Sequence, residues 1–197
     1  YKGELWTQEV LMMPNGNMSR PAAGSSSWAG WEMRFPKSEK KRADADCWKP
    51  LYDGVKLVRR ASDAEFASHV REHFDFDAVV DYMLLLDVTF PVDNTGKNLY
   101  WAVYDVRQSP CLTPVPWDLD ASFGIKWDGS RFSDQLASSD FWEYMSHNNG
   151  KGGLFSRLPQ VCQREFREQI SKRYRKLRST VFSTESLLNR IDAYYAE

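Results

Sequence analysis

Oxygen-bearing side chains form two short clusters between residues 93 and 124, on either side of an apolar segment. The first cluster has the pattern Asp93-x-x-x-x-Asn98. The second is Asp118-x-Asp120, followed by the sequence ASFG. Mg²⁺ prefers oxygen ligands of this kind, and phosphoryl transfer needs rigidly placed groups that position the reactants and hold neutralising cations. The two clusters therefore indicate a site that binds magnesium or phosphate.

The same residues would also suit an ordinary turn that has no catalytic or binding role. Asp93 and Asn94 belong to a D-N-T-G sequence, in which Asp and Asn side chains bond to nearby backbone and Gly supplies a positive φ. Asp-x-Asp beside a glycine occurs in many loops, so each short motif has low specificity. The apolar flanks DYMLLLDVTF, LYWAVYDV and TPVPW favour a site, because they would hold the acids at the ends of buried elements.

The order of these polar groups is that of the C-terminal lobe (C-lobe) of protein kinases. There, an Asp accepts the proton of the substrate hydroxyl, and an Asn five residues later and an Asp beyond a hairpin hold Mg²⁺. The chain departs from ordinary kinases in three respects. Pro91 and Val92 stand where His-Arg would precede Asp93, no G-x-G-x-x-G loop occurs, and no V-A-x-K strand precedes the motif.

The chain resembles the CotH (spore coat protein H) kinase family of atypical secreted or envelope-associated protein kinases. The resemblance is carried by DNTGKNLYWAVYD followed by PWDLDASFG, and flanking segments from YKGELW to the LFSRL and REFREQISKRYRKLR region extend it over nearly the whole chain. It implies that Asp93 is the catalytic base or orients the substrate hydroxyl. It also implies that Asn98 and Asp118 bind the metal and the nucleotide, and that Asp120 is a second metal ligand or orients Asp118. Which of the two aspartates is the primary ligand stays open.

The resemblance implies transfer of the γ-phosphoryl group of ATP, with Mg²⁺, to Ser or Thr of a protein substrate. It also implies a location in the cell envelope or outside the cell. An alternative is a kinase-like structural or interaction module of a surface or spore-coat-like assembly, although a pure scaffold need not keep all four polar residues. A metal-dependent hydrolase using the same acids is a third interpretation, although no His lies between residues 74 and 146 to serve as a general acid.

The expected fold is α+β and forms a single domain over residues 1–197, namely a mainly helical, kinase-like C-lobe with a short catalytic β-hairpin. Residues 1–36 are expected to be strands and loops that cross over from an N-lobe largely absent from this chain. Residues 46–197 are expected to form the helical lobe with the 93–124 active-site segment. Since the adenine pocket, the phosphate-covering loop and the strand Lys would lie in the missing lobe, we expect these 197 residues alone to bind Mg·ATP weakly or not at all and to be inactive.

Composition excludes several classes of partner. A net charge of −1 argues against nucleic acid or a charged membrane surface, and no apolar run approaches the length of a membrane span. Three cysteines without C-x-x-C spacing permit at most one disulfide bridge and argue against a zinc site. The basic run KSEKKR at 37–42 predicts a solvated loop, and KRYRKLR at 172–178 predicts the exposed face of a helix.

Hydrophobic periodicity and capping residues predict the remaining elements. We expect the apolar helix that Asp75 or Asp77 caps to be the buried centre of the lobe, and we expect His69 and His73 to lie on an exposed helix face. One predicted helix begins at Asp46, and a second runs from a Ser62 cap through His73. Further helices are predicted at 78–89, 159–181 and 183–197. Strands predicted near 99–106 and 111–117 form the hairpin.

Overall fold

The fold is defined by a computed structural model that describes residues 1–3, 19–91, 94–106, 108–126, 128–131 and 153–196. These residues contain both helices and a small sheet, which confirms the α+β class; the kinase-like lobe stays a prediction. The helices are α1 Glu39–Asp44, α2 Lys49–Arg60, α3 Asp63–His73, α4 Phe76–Thr89, α5 Leu154–Val161, α6 Gln163–Arg178 and α7 Thr184–Ala196. The strands are β1 Lys2–Gly3, β2 Ser27–Trp28, β3 Trp31–Glu32, β4 Leu99–Ala102 and β5 Thr113–Pro116.

The five strands form one antiparallel sheet in the order β2-β3-β1-β4-β5. The hairpin strands β4 and β5 are paired from Leu99 opposite Pro116 to Ala102 opposite Thr113. Strand β1 lies between β3 and β4, so the first residues of the chain are hydrogen-bonded directly to the hairpin. The strands within residues 1–36 and the hairpin therefore belong to one sheet.

Helix α4 packs at the centre of the core, as its apolar sequence predicts. Several of its residues between Val79 and Leu86 have fully buried side chains, and the helix lies against β5 and α6. Aromatic side chains join the helices to the hairpin: the Phe155 ring stacks on Tyr82 at 5.8 Å and on Trp101 at 6.2 Å between centroids. This shared core fixes the hairpin against α4.

Three of the predicted helix caps are present. The Ser62 side chain accepts a hydrogen bond from the backbone N–H of Glu65, and Asp75 accepts one from Ala78. Ser183 accepts one from Ser186 at the start of α7. Helix α4 begins at Phe76, immediately after the Asp75 cap, two residues earlier than its apolar run predicts.

The prediction of a solvated loop at residues 37–42 was wrong. Residues 39–44 form α1, which Ser38 caps, and the side chain of Arg42 is buried. Its guanidinium group donates hydrogen bonds to the backbone carbonyls of Gly24, Pro36 and Lys37 at 2.6 to 3.2 Å. These contacts satisfy the buried charge, and a run of basic letters contains no signal for them.

Several predicted boundaries were also wrong. The single helix predicted at 159–181 is two helices that break at Cys162, with Pro159 inside the last turn of α5 rather than at a helix start. The helix predicted from Asp46 begins at Lys49. The hairpin strands are shorter than predicted because Asp105 forms its own turn, accepting hydrogen bonds from Gln108 and Ser109. No helix among the described residues is long and apolar enough to cross a membrane.

Candidate functional site

The open end of the β4–β5 hairpin brings two of the predicted site residues together. Asn98 directly precedes β4, and Asp118 lies two residues beyond the end of β5. The backbone N–H of Trp117 donates a hydrogen bond to the carbonyl of Asn98 at 3.2 Å. Because this bond continues the pairing of the two strands, Asn98 and Asp118 occupy neighbouring positions at the same end of the sheet.

The backbone at this end of the hairpin adopts an unusual conformation. Asn98 has φ = 56° and Asp118 has φ = 57°, which places both residues in the left-handed region. Asn and Asp tolerate this region better than other non-glycine residues, but it remains costly and is often found at functional sites. Phe90 and Phe123 have φ values of 50° and 56° in the two segments that flank the site.

Asn94 is a further residue of this site, and its side chain is completely buried. Its amide nitrogen donates hydrogen bonds to the carbonyl of Asn98 at 3.1 Å and to the carbonyl of Trp117 at 2.7 Å. The hydroxyl of Tyr82, from α4, donates to the backbone carbonyl of Asn94 at 2.5 Å. The sequence indicated only a turn-forming role for Asn94, and no spacing signal distinguishes such an asparagine from an exposed one.

The segment 117–124, here called the acid loop, connects the open end of the hairpin to the end of α4. Asp118 and Asp120 are exposed on this loop, while Ala121 and Ser122 are buried. A carboxylate oxygen of Asp120 accepts a hydrogen bond from the N–H of Ala121 at 2.9 Å. The N–H of Phe123 donates to the carbonyl of Thr89 at 2.6 Å, which attaches the loop to the last residue of α4. The loop is thus fixed at both ends.

Two predicted site residues remain, Asp93 and Asp120. Asp93 lies outside the described residues. Asp120 is on the same loop as Asp118, but within the described part of the chain no group of three or more His, Cys, Asp or Glu side chains could hold a metal ion. The carboxylates of the described residues therefore do not form a cage that could enclose a cation by itself.

The donor chemistry of this end of the hairpin fits Mg²⁺. Asn98 and the two aspartates offer only hard oxygen ligands, and the Asp118 carboxylate has no hydrogen-bond or ion-pair partner among the described residues. Mg²⁺ is commonly held by one or two carboxylates, with waters and substrate phosphates completing its shell, rather than by a closed protein cage. Two exposed carboxylates beside an amide are consistent with that mode of binding.

A cavity of about 650 Å³ lies beside the hairpin. Its walls are mostly apolar and include Tyr1, Phe35, Tyr100 and Tyr104. Tyr100 belongs to β4, and its ring also packs edge-on against Trp117, the first residue of the acid loop, with centroids 5.7 Å apart. The cavity and the open end of the hairpin therefore share one strand.

Comparisons with known proteins give one family and one distant relative. The family model described as CotH kinase protein matches residues 8–197. The protein "Inner spore coat protein H" of Bacillus subtilis (strain 168) is 24% identical over 145 residues, which are 74% of this chain and 36% of that protein. The chain thus spans about a third of the length of this relative. No solved structure matches the chain significantly.

Proposed function

The chain belongs to the CotH kinase protein family, and from this premise we propose that it contains the catalytic lobe of a Mg²⁺-dependent phosphotransferase. The reaction is transfer of the γ-phosphoryl group of ATP to the hydroxyl of a Ser or Thr in a protein. The observation that supports this proposal best is the hydrogen bond between Trp117 and Asn98, because it makes two oxygen-ligand positions neighbours that are distant in sequence.

The proposed roles follow from chemistry and position. Asn98 and Asp118 hold Mg²⁺, with Asp120 as a second ligand or as a group that orients Asp118. Bound Mg²⁺ would neutralise charge on the phosphate oxygens. Asp93 would orient the acceptor hydroxyl and take its proton. The chain's own contribution is to keep Asn98 and Asp118 on a rigid hairpin end, since phosphoryl transfer depends on position more than on covalent chemistry by the protein.

The cavity beside β4 supports a nucleotide as the phosphoryl donor, with the base held in this lobe and not in the missing lobe, where the resemblance to kinases would place it. Its apolar walls include the exposed side chains of Phe35 and Tyr104, and a flat base is stabilised by stacking on aromatic rings. Because Tyr100 lines the cavity and contacts Trp117, a base bound there would have its phosphates within reach of the acid loop.

The proposed substrates are proteins of a cell envelope or coat. The relative from Bacillus subtilis is described as an inner spore coat protein, and the match is distant and covers a minority of its length. The name therefore supports an envelope or coat association for this protein and does not identify an acceptor.

The proposal is tested by incubating the full-length protein with Mg²⁺, γ-labelled ATP and a fraction of envelope or coat proteins. We expect label on Ser or Thr of one or more proteins, and no label when Mg²⁺ is chelated. Release of free phosphate without protein labelling would instead identify a hydrolase. Neither labelling nor phosphate release, with the protein folded, would favour the structural module.

A further inference from the structure

We propose that Asn94 is a positioning residue whose side-chain amide holds the two oxygen-ligand positions, Asn98 and Asp118, in their cation-binding arrangement. This inference rests on the proposed function and adds a residue to its machinery. Asn94 does not face solvent, so it acts through the backbone of the hairpin and not by touching the cation.

The geometry of the amide is specific. Both atoms that face its nitrogen are backbone carbonyl oxygens, those of Asn98 and Trp117. Two carbonyl oxygens can be satisfied only by the NH₂ group of the amide, so the side chain must be oriented with its nitrogen toward them. One nitrogen thus joins the residue before β4 to the residue after β5, across the gap where regular strand pairing ends.

The backbone held by these bonds is costly to maintain. Each of the two predicted ligand residues has a left-handed φ, and such a conformation persists only where surrounding contacts enforce it. The two bonds from Asn94 act on the carbonyl of Asn98 itself and on the peptide that enters Asp118. Loss of the amide would allow both residues to relax to ordinary φ values, which would change the positions of their side-chain oxygens.

The side chain of Asn94 also has a feature that lowers the stability of the fold. Its side-chain oxygen is buried and has no hydrogen-bond partner within the described residues. A buried, unpaired acceptor is destabilising, and such exceptions in folded proteins call for an explanation. Placement of two metal ligands is an explanation that a general packing role does not supply.

The test measures binding of Mn²⁺, as a paramagnetic substitute for Mg²⁺, to the full-length protein in the presence of a non-hydrolysable ATP analogue. Electron paramagnetic resonance reports free Mn²⁺ and needs no catalytic turnover. Two variants remove the donor, namely Asn94→Asp, which keeps the shape, and Asn94→Leu. Val70→Ala is the control, because Val70 is a buried residue of α3 and not of the hairpin, and its truncation leaves a small cavity that lowers stability.

We expect both Asn94 variants to weaken Mn²⁺ binding by about 10- to 100-fold, the range typical of groups that orient metal ligands. Val70→Ala should bind Mn²⁺ as the parent protein does. Parental affinity in the folded Asn94 variants would overturn the inference and leave the proposed function standing. Equal losses in Val70→Ala would assign the effect to general destabilisation and overturn it as well. No Mn²⁺ binding by the parent protein would refute both the inference and the proposed cation site.

Discussion

Individual residues at the open end of the hairpin show how far spacing alone can identify a site. The sequence singled out Asn98 and Asp118 by their order and distance in the chain, and the structure places them at neighbouring positions. It did not identify Asn94, because the two carbonyls that its amide binds become neighbours only when β4 and β5 pair. The sequence thus predicted the candidate ligands Asn98 and Asp118 but not the residue whose amide bonds to the backbone beside them.

Asp118→Asn tests the residue-scale proposal. Asn keeps the tendency to adopt a left-handed φ but removes the charge, so the loop should keep its conformation while cation binding weakens. We expect phosphoryl transfer by the full-length protein to fall by about 100-fold or more. The unfolding free energy should change by less than about 0.5 kcal/mol, because the carboxylate is exposed.

The matched control for this variant is Asp128→Asn. Asp128 is exposed four residues beyond the acid loop, and its carboxylate accepts hydrogen bonds from Ser130 instead of facing the hairpin. Its phosphoryl transfer should equal that of the parent. Transfer by Asp118→Asn at the parental rate would show that Asp118 is not a required metal ligand.

Whole helices and strands were predicted best where a local signal exists. The capping residues Ser62 and Asp75 correctly marked the starts of α3 and α4. The errors fell where a signal was overlooked or lies far away in sequence: Ser38 caps α1 locally, one carbonyl that binds Arg42 belongs to Gly24, 18 positions earlier, and the break at Cys162 interrupts a periodic pattern that continues on both sides. The Gly24 contact and the helix break are not encoded in a short window of sequence.

Arg157 on α5 illustrates such a tertiary contact and can be tested by substitution. Its guanidinium donates to the carbonyls of Leu57, Val58 and Ala61 at the end of α2, and it also pairs with Asp63. Lys has one nitrogen in place of this planar fork, so Arg157→Lys would leave several of these acceptors unpaired. We expect a loss of about 2 kcal/mol in the unfolding free energy, measured by denaturant titration.

Arg164→Lys is the control for this substitution. Arg164 is exposed on α6 and has no ion-pair partner among the described residues. Its replacement should change the unfolding free energy by less than about 0.5 kcal/mol. If the two variants were equally stable, the contacts of Arg157 would not contribute to joining α2, α3 and α5.

His73, the last residue of α3, gives a prediction of pH dependence. We expected an exposed position, but the ring is half-buried, and burial lowers its pKa below the ordinary value of 6.5, outweighing the opposing effect of Asp53. The unfolded state therefore binds a proton more readily than the folded state. Stability should fall as the pH drops through about 6.5 and should level off below the lowered pKa.

Thermal unfolding of the parent protein and of His73→Gln over this pH range provides the measurement. Gln does not titrate, so the variant should lose less stability than the parent as the pH falls. Identical pH profiles would mean that protonation of His73 is not coupled to unfolding.

At the scale of the whole molecule, the chain combines a sheet and a helical core into a platform for the acid loop. The hairpin is fixed by β1 on one side and by α4 on the other, and the acid loop is attached to both the hairpin and α4. The sequence predicted the α+β class and the family, because both depend on patterns that extend over most of the chain. It did not predict the pairing of β1 with β4, which joins residues about a hundred positions apart.

The open end of the hairpin is proposed to be the site at which the γ-phosphoryl group of ATP is transferred. A single-turnover experiment with the full-length protein, labelled Mg·ATP and a protein acceptor tests it most directly, with Asp93→Asn as the paired variant. We predict that the parent labels Ser or Thr, and that the variant binds nucleotide equally well but transfers about 10²- to 10⁴-fold more slowly, because the proposed base is lost. Equal transfer rates, or no transfer by the folded parent under any acceptor condition, would contradict the claim.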